Sequence, residues 1–323
     1  IVMADEGRSH QLCQQMAVVL LKINSVPTLE RENRVVWHHF SGEQKDVLHS
    51  RLLEALGSTS HVTVWRQLTY IIAARLADDE WSGTIELLEE TLSSGGSEEV
   101  VLKVLSTFEF LFDLSPAASK GARDVQQQVN ASLLLERIYA LLSSEASAKE
   151  VEASLTLLAL KPFVARFADD LNDDAKCEAL VGIIMKHLND AVTDGNSSSN
   201  AANCCRVLKA LNECAPDAMA SQMEHVVLAQ LFNLYPNALQ DEPSVVVPAL
   251  IGVLESVVLG GYEQSRKYYA ALINGSHAEG IMQMLMPLED EAEMEFPCFE
   301  SVANVIGGLM RSCEEFTDTL APA

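Results

Sequence analysis

The side chains whose type and spacing could do chemistry fall into three groups: clustered carboxylates, one histidine pair and a set of thiols. Asp78-Asp79-Glu80 and Glu89-Glu90 each bring acids together. Two carboxylates can share general acid and base work, but only where a concave pocket pushes one pKa away from the other. Here they read instead as solvated helix faces and ends, and Asp79-Glu80 sit where a helix starting near Trp81 gains from negative charge. His38-His39 follow Trp37, and neighbouring residues on a helix point to different sides, so the pair chelates poorly and reads as solvated loop. Cys204-Cys205 with Cys214 lack the four ligands at set spacings that a structural zinc takes. They read as small thiols packed between helices. The motifs G-x-G-x-x-G, G-x-x-x-x-G-K-[ST], G-x-S-x-G and H-E-x-x-H are all absent from the sequence. The expectation is a protein that is not an enzyme, with no catalytic residue, no cofactor and no metal.

One acidic stretch differs from these. Leu288 to Phe296 carries Glu289, Asp290, Glu291, Glu293 and Glu295 directly after the apolar segment Ile281 to Met286. Such a run is either a soluble loop between helices or an acidic finger that meets a basic partner.

The overall charge narrows the partners. The 323 residues hold 22 Lys+Arg against 46 Asp+Glu, a net charge of −24. A nucleic-acid backbone binder needs a basic face, so direct nucleic-acid binding is not expected. Anionic membranes are disfavoured for the same reason. No run reaches the ~18 uninterrupted apolar residues of a membrane span, so insertion is not expected either. The seven cysteines form no C-x-x-C pair and are odd in number, which points to a reducing compartment rather than a disulfide framework. Ile1 to Arg8 lacks a basic segment followed by an apolar core and reads as no signal peptide. The chain opens on Ile, which suggests a fragment of a longer protein.

The elements that must position these residues are helices. Apolar residues recur every three or four positions in Val101, Val104, Leu105, Phe108, Leu111 and Phe112. They do so again in Val64, Leu68, Ile71, Ile72 and Leu76, and in Trp81, Ile85, Leu88 and Leu92. Each is one apolar stripe on one helix. Ser41-Gly42-Glu43-Gln44 and Ser147-Ala148-Lys149-Glu150 fit the capping box. Pro243 suits a helix first turn. Breaks are expected at residues 57–60, 93–97, 194–200 and 260–261, with the helix after the third resuming at Ala201. Between breaks lie roughly fourteen helical segments in pairs, which at ~40–47 residues per pair makes about seven repeats. The fold class expected is all-α: a right-handed α-α superhelix of the HEAT or armadillo type, one solenoid over residues 1–323. A loop at 194–200 and an acidic loop at 288–296 interrupt it.

The N-terminal quarter carries a more specific pattern. A helix runs Gln11-Leu-Cys-Gln-Gln-Met-Ala-Val-Val-Leu-Leu-Lys22, followed by a loop to Trp37. Then come Phe40-Ser-Gly-Glu-Gln-Lys-Asp-Val-Leu-His-Ser-Arg-Leu-Leu-Glu-Ala-Leu56 and Val64-Trp-Arg-Gln-Leu-Thr-Tyr-Ile-Ile-Ala73, then Glu80-Trp81. This resembles the second and third HEAT repeats of the importin-beta superfamily, the karyopherins. The match is clearest over residues 1–115; residues 116–323 resemble further HEAT-like repeats by architecture.

The resemblance implies a nuclear transport receptor that shuttles between cytoplasm and nucleus. Its implied partners are the GTP-bound form of the small GTPase Ran, basic protein cargo, and the Phe-Gly nucleoporins. In that family the second helices of the repeats line the concave surface that wraps cargo and Ran, and the first helices hold Phe-Gly segments between them. On this footing Glu43, Asp46, His49 and Arg51, with Lys45, mark the candidate Ran-facing helix. Glu289, Asp290, Glu291, Glu293 and Glu295 are candidate contacts to a basic partner. Trp37 and Trp81 are expected to pack between repeats as large apolar anchors. The alternative reading is a HEAT or armadillo scaffold for a complex outside transport.

Overall fold

The computed structural model of the chain describes residues 17, 19, 39–78, 81, 83–114, 122–193, 197–238, 243–259, 303–305 and 307. Among the described residues there is no strand. Two compact units divide the chain. One runs to Leu141 and adds Glu145–Leu157; the other holds Leu142–Ser144 and everything from Leu158.

In the first unit, α1 spans Gly42–Ser58 and α2 Val62–Asp78. Then come α3, Thr84–Ser93, and α4, Glu98–Asp113. Shorter helices follow: α5 over Ala122–Gln128, α6 over Ala131–Ser143 and α7 over Ala148–Leu158. The capping chemistry starts two of them as the sequence predicts. Ser41 Oγ accepts the backbone N–H of Gln44 at 3.4 Å, while Gln44 Oε1 accepts the backbone N–H of Ser41 at 3.0 Å. Ser147 and Glu150 make the same reciprocal pair at 3.3 and 3.0 Å before α7. Each satisfies donors that the first turn leaves without a helical partner.

The helix after Trp81 starts later than its apolar spacing suggests. Thr84 opens α3, because Gly83 sits in the left-handed region at φ 82° and holds the chain out of helix until then. Trp81 belongs to the turn, and its carbonyl accepts the Thr84 N–H at 3.2 Å.

Two helical hairpins, α1 with α2 and α3 with α4, stack so that α2 lies directly against α4. The stripe Leu68, Ile71, Ile72 and Leu76 faces this seam, and so does Val101, Val104, Leu105, Phe108, Leu111 and Phe112. All ten side chains are buried. Each contributes about 1.5–3 kcal/mol of transfer free energy, which is what fixes the pairing. Arg75 lies fully buried near the end of α2, its Nη2 donating to Asp78 Oδ2 at 2.6 Å.

The second unit repeats the plan. Its helices are α8 (Lys161–Phe167), α9 (Asp174–Thr193), α10 (Ser198–Cys214), α11 (Pro216–Gln222), α12 (Leu228–Ala238) and α13 (Pro243–Leu259). A 3-10 turn, Ala168–Asn172, joins α8 to α9, and a π turn, Met223–Val227, joins α11 to α12. Second helix again packs on second (α10 on α13), and here first also packs on first (α9 on α12). Pro243 opens α13, as expected for a residue whose missing N–H is harmless there.

Helix α10 is buried on nearly every side, because α8, α9, α11 and α13 all pack against it. That explains its composition. Ala201, Ala202, Cys204, Cys205 and Ala210 are small enough to let four neighbours approach. It also corrects the expected start. The helix begins at Ser198, three residues before Ala201, because Ser197 Oγ caps it by accepting the Asn200 N–H at 3.3 Å.

Candidate functional site

The sequence-predicted residues separate in space. Glu43, Asp46, His49 and Arg51 all lie on α1, the first helix of its hairpin. Glu43 and Asp46 are exposed. Arg51 is exposed too, and its Nη1 donates to Glu54 Oε2 at 2.7 Å. His49 turns the other way. Its ring stacks on Trp81 with centroids 3.8 Å apart and planes 19° apart, and its Nε2 lies 3.1 Å from Thr84 Oγ1. Burial pushes the His49 pKa down, and the nearby Asp46 carboxylate pulls weakly the other way. Trp81 is buried, as expected of an apolar anchor.

The acidic run Glu289, Asp290, Glu291, Glu293 and Glu295 lies outside the described residues, as do Trp37, His38, Asp79, Glu80, Cys13, Cys298 and Cys313. Among the described residues no cluster of His, Cys, Asp or Glu could hold a metal ion, and no helix is long and apolar enough to cross a membrane. Cys204 and Cys205 are buried free thiols. Burial pushes the Cys205 thiol up to about 12 and that of Cys177 to about 11. Cys177 Sγ donates to the Ala218 carbonyl at 3.3 Å. These are packing groups held in their neutral form.

The feature that does gather chemistry is a groove of about 610 Å³ within the first unit, built across α2, α4 and α7. Each helix supplies one stripe at helical spacing. Val62, Trp65 and Arg66 come from α2; Glu98, Leu102, Ser106 and Glu109 from α4; Lys149, Glu152, Ala153 and Thr156 from α7. Glu99 adds a further acid, tied by its Oε1 to the Nζ of buried Lys103 at 2.7 Å. The apolar part of the lining is Val62, Trp65, Leu102 and Ala153, and four carboxylates stand against two cations.

Glu109 is the most constrained of these acids. Its side chain is only 19% exposed, and the nearest cation is Arg66, whose Nη2 lies 4.0 Å from Oε1. Burial raises its pKa; Arg66 opposes that, while Asp113 and Glu152 push it higher. Arg66 itself is 52% exposed, so the pair is long and half-solvated, and its hold on the carboxylate is weak.

Single-residue inspection of the sequence did not find this groove. Each stripe alone looks like an ordinary solvated helix edge. The signal that could have found it is a second, mixed stripe beside the apolar one on α2, α4 and α7, with acids in the last two. Comparison with protein-family models, with curated proteins and with solved structures returns no significant match.

Proposed function

We propose that this chain is a nuclear transport receptor of the importin-beta kind, without catalysis, that binds GTP-bound Ran and basic protein cargo. The observation that carries the reading is the acidic-rimmed groove across α2, α4 and α7, two of whose helices, α2 and α4, lie where the sequence resemblance is clearest. Three further features support it. Within each unit two helical hairpins stack, second helix on second helix, which is how repeat proteins present a continuous binding face. The net charge of −24 speeds encounter with basic partners. Exposed Val47, Leu87 and Tyr139 on α1, α3 and α6 are apolar side chains of the sort Phe-Gly segments engage. On this reading the protein moves between cytoplasm and nucleus and uses neither direct nucleic-acid contact nor membrane insertion.

A scaffold would use the same groove without regard to a GTPase. The test is therefore a pull-down of the chain with Ran loaded with GTP or GDP, at low and moderate salt, with folding checked by circular dichroism. Preference for the GTP form is the expected result. Equal or absent binding, persisting when the sequence is extended by a further N-terminal helical pair, would make the scaffold the better reading.

A further inference from the structure

Glu109 is held in the groove by a cation that is free to leave. Arg66 reaches it from the neighbouring helix at 4.0 Å, is half-exposed, and anchors at the groove edge beside Trp65 and Val62. Around the carboxylate the charge is acidic on balance: Glu152 stands across on α7, with Lys149 one turn before it, and Asp113 lies one helical turn on. Next to this site lie Leu102, Ala153 and the buried Trp65, so an occupant meets apolar surface and negative charge together.

We propose that the groove takes a peptide segment of a partner protein carrying an arginine beside an apolar residue, and that the incoming guanidinium displaces Arg66 from Glu109. The proposal rests on the carrier reading for the partner's biological identity, but its chemistry is independent of it. A guanidinium suits the site better than an ammonium, because its planar fork pairs with a carboxylate through two donors and is more weakly hydrated. The neighbouring apolar residue then covers Leu102 and Ala153. Arg66 thus works as an internal competitor. It keeps a desolvated carboxylate partnered while the groove is empty, and it sets a threshold that weakly basic segments do not pass.

This gives Arg66 and Glu109 opposite signs. The experiment measures fluorescence anisotropy of three labelled peptides on the full chain at low and moderate salt: one alternating Arg and Leu, one alternating Lys and Ser, and one alternating Glu and Leu. The wild type is expected to prefer the Arg-Leu peptide and to ignore the Glu-Leu one. Glu109→Gln should weaken Arg-Leu binding about fivefold, and Arg66→Ala should tighten it about as much. Glu152→Gln, at an exposed position that folding tolerates, should weaken it by less and serves as a second variant should Glu109→Gln lose its fold. If Arg66→Ala weakens binding or leaves it unchanged, the displacement is wrong. If the glutamate variants bind as the wild type does, the groove is not the site. Peptide binding with these signs, together with no preference between the two nucleotide forms of Ran, would overturn the carrier reading and leave the groove standing. The reverse pattern would do the opposite.

Discussion

The imidazole of His49 lies flat on the indole of Trp81, 3.8 Å between centroids, and so ties α1 to the turn that starts α3. The contact joins the first helices of two successive hairpins and works best with a neutral ring, since burial disfavours the charged form. His49 was a candidate partner contact from sequence; its ring is instead occupied within the chain by Trp81 and Thr84.

A pH dependence follows from the direction of that shift. The folded-state pKa of His49 lies below its ordinary value of 6.5, so between those two values the unfolded chain binds more protons than the folded one. The stability it contributes is present above about pH 6.5 and is lost as pH falls through the folded value. Urea midpoints measured from about pH 8 down to about pH 5.5 should fall more for the wild type than for His49→Gln. Parallel curves would mean the ring does not titrate against stability.

The cap at Ser41 should be worth about 1 kcal/mol, since both halves of its reciprocal pair are made. Ser41→Ala should lower the unfolding free energy by that amount, moving the urea midpoint down in proportion, and Ser147→Ala by a similar one. Gln44→Ala removes the other hydrogen bond of the pair and should cost less than Ser41→Ala, because the Ser41 N–H it leaves is exposed and can turn to water. Chemical denaturation with unchanged slope is the check.

Arg75 and Asp78 should respond unequally. Asp78 Oδ2 takes a charged donor of a fully buried guanidinium, so Asp78→Ala, which removes that partner, should cost about 3 kcal/mol. Arg75→Met removes the charge and keeps the volume, and should be neutral or mildly stabilising. Equal losses from the two variants, measured by thermal melting, would show that the ion pair itself stabilises the helix end.

The thiols of Cys204 and Cys205 should be inert in the folded protein. Both are buried in α10, and burial pushes each pKa up, that of Cys205 to about 12. Thiolate is the reactive species, so an alkylating reagent at about pH 8 should label neither until denaturant is added. Mass spectrometry of the digested protein reads this directly. Half-exposed Cys214, whose Sγ lies 3.7 Å from the Lys161 carbonyl, should label first among the described thiols.

The sequence by itself determined the helices, because their causes are local. Apolar residues three and four apart demand a helix wherever they fall, and Ser41, Ser147 and Pro243 mark starts through groups within one turn. Even the two misplaced starts, at Thr84 and Ser198, had local causes in Gly83 and Ser197. It also indicated that Cys204 and Cys205 are packing thiols, though not why two adjacent residues should both be buried. Tertiary structure decided that, since a helix enclosed by four others buries nearly every side. It decided as well that His49 faces Trp81 and that Arg66, Glu109 and Glu152 share one groove. These residues are separated by tens of positions, and nothing in the local pattern of one helix states which stripe of another it will meet. That choice is made by how the hairpins stack, which depends on the summed burial of whole faces rather than on any residue's neighbours in the chain.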